Sequence, residues 1–125
     1  MDEKRPKHIL VLEDLEDMRA FIAEVLSRQG YRVSTPVDSY VALTMARQQP
    51  YDLATVDLVM PLMDGVAFVQ ALREMRVNTP VVIVTAFLSD PRIGQLKQMG
   101  VRHFLSKPFH LEALFKAVRE ALGET

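Results

Sequence analysis

The chain has 125 residues, 49% of them hydrophobic and 25% charged, and it has no cysteine. That suits one domain burying roughly two-thirds of its unfolded surface, and it excludes disulfide frameworks, zinc–thiolate sites and thiol catalysis. Fifteen basic against sixteen acidic residues give a net charge of −1, poor equipment for nonspecific nucleic-acid binding, and no apolar run approaches the roughly 20 residues of a membrane helix.

The start, Met1-Asp2-Glu3-Lys4-Arg5-Pro6-Lys7, is charged rather than apolar, which points to a cytoplasmic location. Residues 1–6 read as a charged tail, 7–122 as one folded domain and 123–125 as a short end. His8-Ile9-Leu10-Val11-Leu12 is an apolar run that stops at Glu13-Asp14. Met18, Phe21, Ile22, Val25 and Leu26 follow with the spacing of one helical stripe, and Gly30 ends that helix as a C-cap would. Tyr31 to Thr35 alternates like a half-exposed strand. A short helix with Ala42, Leu43, Met45 and Ala46 runs from near Ser39 to before Pro50.

Leu53-Ala54-Thr55-Val56 is the third strand and stops at Asp57. Asp64-Gly65 turns into a helix carrying Phe68, Val69, Leu72 and Met75. Pro80 to Val84 is a β-branched run that stops at Thr85. The next helix is weaker: Ile93, Leu96 and Met99 share it with Gly94, which costs about 1 kcal/mol against alanine. Val101 to Leu105 is a mixed strand ending at Ser106-Lys107-Pro108, and Leu111, Leu114, Phe115, Val118 and Leu122 form the last stripe.

Five strand–helix units in alternation predict an α/β fold: a five-stranded parallel sheet, doubly wound, with helices on both faces. Strands one, three and four are almost wholly apolar and belong inside; strands two and five carry Arg32, Ser34, Arg102 and His103 and belong at the edges. The order 2-1-3-4-5 satisfies this, with its switch point between strands one and three.

The polar interruptions fall at the carboxyl ends of strands, which in a parallel sheet share one edge. Glu13, Asp14, Asp57, Thr85 and Lys107 therefore converge: three carboxylates, a hydroxyl and an ammonium. Any one of them alone is an ordinary turn former or strand terminus; their coincidence at one edge carries the functional reading. Two unit charges about 4 Å apart repel by roughly 4 kcal/mol at an effective dielectric near 20. Magnesium removes that penalty, binding one or two carboxylates while keeping waters and room for a phosphoryl oxygen. The set has the parts of a phosphoryl-transfer site whose nucleophile is a carboxylate. His8, His103 and His110 lack metal-ligand spacing and read as surface or edge-strand residues.

Taken together, these residues resemble the receiver domain of a two-component response regulator. The likeness runs from about Lys7 to Leu122 and rests on four motifs in order: Leu12-Glu13-Asp14, the loop from Val56-Asp57 to Asp64-Gly65, Thr85-Ala86, and Phe104-Leu105-Ser106-Lys107-Pro108-Phe109. The resemblance implies that Asp57 takes a phosphoryl group from a sensor histidine kinase or a histidine phosphotransfer protein. It implies that Asp14, Asp57 and the Val59 backbone carbonyl bind Mg²⁺ directly, with Glu13 acting through water. Thr85 and Lys107 would contact the phosphoryl oxygens, Thr85 and Phe104 would form the switch, and Lys107–Pro108 would be a cis peptide. Output would pass through the fourth helix, fifth strand and fifth helix to a downstream protein or output domain, without direct nucleic-acid or membrane contact, and with a weak or phosphorylation-dependent homodimer as a further expectation. Arg102-His103 stands where many dimerising relatives carry an Asp pair, so the salt bridges of that dimer type are not implied. Val59 and Phe87, both apolar, stand at positions that flank the path of hydrolytic water in this family, which implies a long-lived phosphoryl group.

Two other readings use the same parts. A haloacid-dehalogenase-like phosphohydrolase needs a second Asp two residues after the nucleophile, where Val59 stands. A flavodoxin-like nucleotide site needs a phosphate-friendly first loop, and Glu13-Asp14-Leu15-Glu16-Asp17 repels phosphate. A phosphorylation-independent pseudo-receiver remains as an alternative interaction module.

Overall fold

The computed structural model describes residues 5–124; positions 1–4 of the expected tail, and residue 125, lie outside the described residues. The strands are β1 (His8–Leu12), β2 (Arg32–Ser34), β3 (Leu53–Asp57), β4 (Val81–Thr85) and β5 (His103–Ser106). The helices are α1 (Glu16–Arg28), α2 (Ser39–Gln48), α3 (Gly65–Glu74), α4 (Arg92–Gln98) and α5 (Leu111–Ala121). All four pairings are parallel and the order is β2-β1-β3-β4-β5. Every residue of β1, β3 and β4 is buried, as strands covered on both faces must be.

The pleat sorts their side chains into two cores. Leu10, Leu12, Ala54, Val56, Val81 and Ile83 meet Ala42 of α2, Phe68, Val69 and Leu72 of α3, and Ile93 and Leu96 of α4. Ile9, Val11, Leu53, Val82 and Val84 meet Ile22 and Leu26 of α1 and Leu114 and Val118 of α5. The helices therefore divide three and two over the faces, and each covers the sheet with one apolar stripe. Asp38 caps α2 by accepting from the Val41 amide at 2.9 Å, and Asp64 caps α3 by accepting from the Ala67 amide at 2.9 Å. Gly30, at φ +97°, and Gly100, at φ +93°, take the left-handed turn after α1 and α4 that a side chain disfavours.

Several boundaries differ from the sequence pattern. β2 is only three residues long and excludes Tyr31 and Thr35, and β5 begins at His103, because Val101 is drawn back to close α4 through its amide bond to the Leu96 carbonyl at 3.0 Å. Phe21 fits the α1 stripe by spacing but is 45% exposed; only Ile22 and Leu26 of α1 are fully covered. His8 is neither a surface nor an edge-strand residue: it opens the interior strand β1 and is 8% exposed. Its ring bonds Ser34 Oγ at 2.7 Å and lies 4.4 Å from the Tyr51 ring, so a polar partner and an aromatic neighbour together make burial tolerable. Burial and the nearby Arg32 charge hold its imidazole below the usual value.

Candidate functional site

The carboxyl ends of β1, β3, β4 and β5 lie along one edge of the sheet, and the predicted residues occupy them. Glu13 and Asp14 follow β1, Asp57 is the last residue of β3 itself, Thr85 is the last of β4, and Lys107 follows β5. Each of Glu13, Asp14 and Asp57 offers a carboxylate oxygen within 4.8 Å of the others. Glu13 and Asp57 are buried and Asp14 is exposed, so the cluster opens to solvent on the Asp14 side.

Lys107 reaches into this cluster. Its Nζ donates to Glu13 Oε1 at 2.7 Å and to Asp57 Oδ2 at 3.1 Å. The backbone positions the acids as well. The Leu15 amide donates to Glu13 Oε2 at 3.2 Å, the Val59 amide donates to Asp57 Oδ1 at 3.2 Å, and Arg19 Nη1 holds the Glu13 carbonyl at 3.1 Å. Burial pushes the Glu13 carboxyl above its ordinary value, the Lys107 hydrogen bond opposes this, and the neighbouring Asp57 charge reinforces it. For Lys107, burial works against the charge, but the hydrogen bond to Glu13 and the Asp57 carboxylate together outweigh it, and the ammonium titrates above its usual value.

Thr85 is fully buried. Its Oγ1 accepts from the Phe87 amide at 3.1 Å, and its carbonyl accepts from the Lys107 amide at 2.8 Å. The Lys107–Pro108 peptide is cis. Phe104 sits on β5, half-buried, and packs against the core under α2, α3 and α4. Val59 and Phe87, two residues beyond Asp57 and Thr85, are 42% and 54% exposed.

Three contributors carry no sequence signal of their own. Gly65 lies so close beneath the end of β3 that a Cβ there would stand 2.8 Å from the Asp57 carbonyl oxygen and 3.0 Å from the Leu58 Cα. Its amide also donates to the Leu58 carbonyl at 2.9 Å. Asp64-Gly65 is legible as a turn, but this approach is not, because it joins the two ends of a loop. Lys97 of α4 holds its Nζ 5.6 Å from the centre of the Phe104 ring, a cation–π contact that adds to packing around a ring with no hydroxyl. Arg92 bonds both Asp90 and Asp64; nothing in the spacing of two loop carboxylates and the first residue of α4 announces that they meet.

Three carboxylates against one ammonium leave this edge with excess negative charge, and hard oxygen donors of this kind suit a divalent cation. Fold and edge together define a doubly wound α/β domain with an acidic pocket over its topological switch point. The family model that describes the response regulator receiver domain matches residues 9–119, and the chain belongs to that family. The transcriptional regulatory protein GlrR of Escherichia coli is 31% identical over 121 residues, which cover 97% of this chain but 27% of GlrR. The chain thus spans about a quarter of the length of that relative. The structure is also similar to that of the Vibrio cholerae chemotaxis protein CheY4, with a TM-score of 0.85, 30% identity, and coverage of 93% of this chain and 98% of the other. The receiver domain of the Pseudomonas aeruginosa sensor histidine kinase PA1611, whose structure has a magnesium ion coordinated in the active-site cleft, matches with a TM-score of 0.86 and 26% identity over 95% of this chain and 99% of the other. As a receiver domain the chain is a signalling module rather than a classical enzyme. No helix among the described residues is long and apolar enough to cross a membrane.

Proposed function

We propose that this domain accepts a phosphoryl group on Asp57 from a phosphohistidine, on a sensor kinase or a phosphotransfer protein, and passes the change to a downstream protein or output domain. The observation that carries the reading is the position of Lys107, whose Nζ bonds Asp57 and Glu13 at the edge where Asp14 opens to solvent. A carboxylate oxygen of Asp57 attacks phosphorus; the P–O bond forms as the P–N bond breaks, and its electron pair leaves with the imidazole. Asp14, Asp57 and the Val59 carbonyl would hold Mg²⁺, with Glu13 acting through water. An ion held there would supply charge neutralisation on the phosphoryl oxygens.

The chain's own residues do the rest. The Lys107 ammonium shifts from pairing two carboxylates to pairing the new acyl phosphate. The Thr85 hydroxyl donates to a phosphoryl oxygen, which draws the end of β4 toward the pocket. The state so favoured is a minor population at rest. Phe104 lies beside α4, the shortest helix, and follows that movement. The surface of α4, β5 and α5 carries the signal outward. The domain boundaries 7–122, a cytoplasmic setting and a weak or phosphorylation-dependent homodimer belong to the same reading.

Acetyl phosphate with Mg²⁺, followed by intact mass, tests it. Wild type gains one phosphoryl group and Asp57→Asn gains none. Continuous release of phosphate would mark a hydrolase, and an unmodified wild type would leave only a phosphorylation-independent interaction module.

A further inference from the structure

We propose that Arg92 is a positioning residue that latches the β4–α4 loop (the switching loop) to the β3–α3 loop (the acceptor loop) and so holds the domain in its resting arrangement; the inference rests on the phosphoacceptor reading above. Four hydrogen bonds make the latch. The Arg92 amide and Nε donate to Asp90 Oδ1 at 2.9 and 3.0 Å, Nη2 donates to Asp90 Oδ2 at 2.8 Å, and Nη1 crosses to Asp64 Oδ2 at 3.0 Å.

Both ends of the latch lead back to the pocket. On one side, Asp64 caps α3 with its other oxygen and precedes Gly65, which lies against the Asp57 carbonyl. On the other side, the Asp90 amide donates to the Phe87 carbonyl at 3.1 Å, and the Phe87 amide donates to Thr85 Oγ1 at 3.1 Å. A connected set of bonds therefore runs from the Thr85 hydroxyl through Phe87, Asp90 and Arg92 to the corner behind Asp57. A Thr85 that moves toward a phosphoryl group pulls on Phe87 and, through it, on Asp90. Arg92 resists, because its guanidinium is shared with a carboxylate on the acceptor loop.

The surroundings make this link matter. Helix α4 has seven residues, one of them Gly94, and its N-cap, Pro91, offers no side-chain bond. The Asp90 carboxylate accepting from the Arg92 amide fills that role. The side chains of Arg92 and Asp64 are each 32% exposed, so solvent screens the pair only in part. Hydrogen bonds from Arg92 hold the Asp90 carboxyl down at about 2, so the Asp90–Arg92 half of the latch stays charged at any ordinary pH.

Beryllofluoride with Mg²⁺, titrated against wild type, Arg92→Gln, Asp64→Asn and the double variant, tests the latch. Asp64→Asn keeps the side-chain oxygen that caps α3. Each single variant is expected to bind about two- to fivefold more tightly, the range of a partly exposed ion pair, and the double variant no more tightly than either. A residue that merely stiffened the fold would give weaker binding on removal. Unchanged or weakened binding in both single variants overturns the proposal. A wild type that binds no beryllofluoride sinks the phosphoacceptor reading instead. Amide exchange over residues 87–98 of the free protein then decides the latch: faster exchange in each single variant, with nothing added in the double, supports it, and equal exchange in all four refutes it.

Discussion

Replacing Lys107 by methionine keeps most of the side-chain volume and removes the one ammonium that pairs Glu13 with Asp57. The side chains concerned are 14%, 2% and 9% exposed for Lys107, Glu13 and Asp57, so water screens little of the repulsion left between the two carboxylates. Two unit charges at the 4.8 Å limit of the cluster repel by about 3.5 kcal/mol at an effective dielectric near 20. Loss of the partner of a buried pair costs about 3–5 kcal/mol. The expected loss of unfolding free energy is therefore about 3 kcal/mol at pH 8 in EDTA, read from urea denaturation by circular dichroism. Its pH dependence has a definite sign. The folded Glu13 carboxyl already titrates above its ordinary value because of burial. A group raised in this way binds more protons folded than unfolded, so its contribution to stability is complete below the unfolded value and declines as pH rises through the folded one. Removing Lys107 takes away the hydrogen bond that opposes the rise, so Glu13 moves further up. The deficit of Lys107→Met should then shrink steadily as pH falls from 8 toward 5, and Mg²⁺ should restore part of it at pH 8 by binding the folded state preferentially. A deficit equal at every pH and indifferent to Mg²⁺ would refute the placement of charge on which this rests.

Three further outcomes depend on single positions. Thr55 Oγ1 is the one buried side-chain oxygen or nitrogen without a hydrogen-bond partner among the described residues, so Thr55→Val should raise unfolding free energy by about 1 kcal/mol in the same denaturation assay; a loss of stability would show that the hydroxyl is satisfied. Gly65→Ala puts a methyl group against the Asp57 carbonyl and should cost about 1–3 kcal/mol while slowing phosphorylation by acetyl phosphate; retention of both would mean that the loop yields freely. Val59 and Phe87, exposed and two residues beyond Asp57 and Thr85, carry no polar group to orient water, so on the proposed reading Val59→Asn or Phe87→Glu should shorten the life of a labelled phosphoryl group in the purified protein; rapid loss in wild type that neither changes would remove that account.

The architecture was legible because its signals are local and mutually consistent. A five-residue apolar run that stops at a charge can only be a covered strand end here, and the polar residues of β2 and β5 assign those strands to the edges. The acidic cluster was legible for the same reason, since parallel strands bring every carboxyl end to one rim. What escaped depends on geometry between segments. Phe21 has the spacing of a core residue, but of α1 only Ile22 and Leu26 are buried against the sheet side. His8 gains from Ser34 and Tyr51 what its own neighbours in sequence do not offer. The Arg92 contacts require two loops to be folded before they exist, and the clearance at Gly65 is a property of a closed turn rather than of a residue type.

One bond near the pocket has a wider consequence. The Lys107 amide donates to the Thr85 carbonyl, and Thr85 stands opposite Ser106 in the strand register. The two groups that we propose face an incoming phosphoryl group are thus prongs of a single fork whose handle is main chain. Side-chain replacement at either prong changes what the fork can grip but leaves its span intact. Tuning of anion affinity and preservation of shape are in this way assigned to different atoms, which lets one drift without dragging the other.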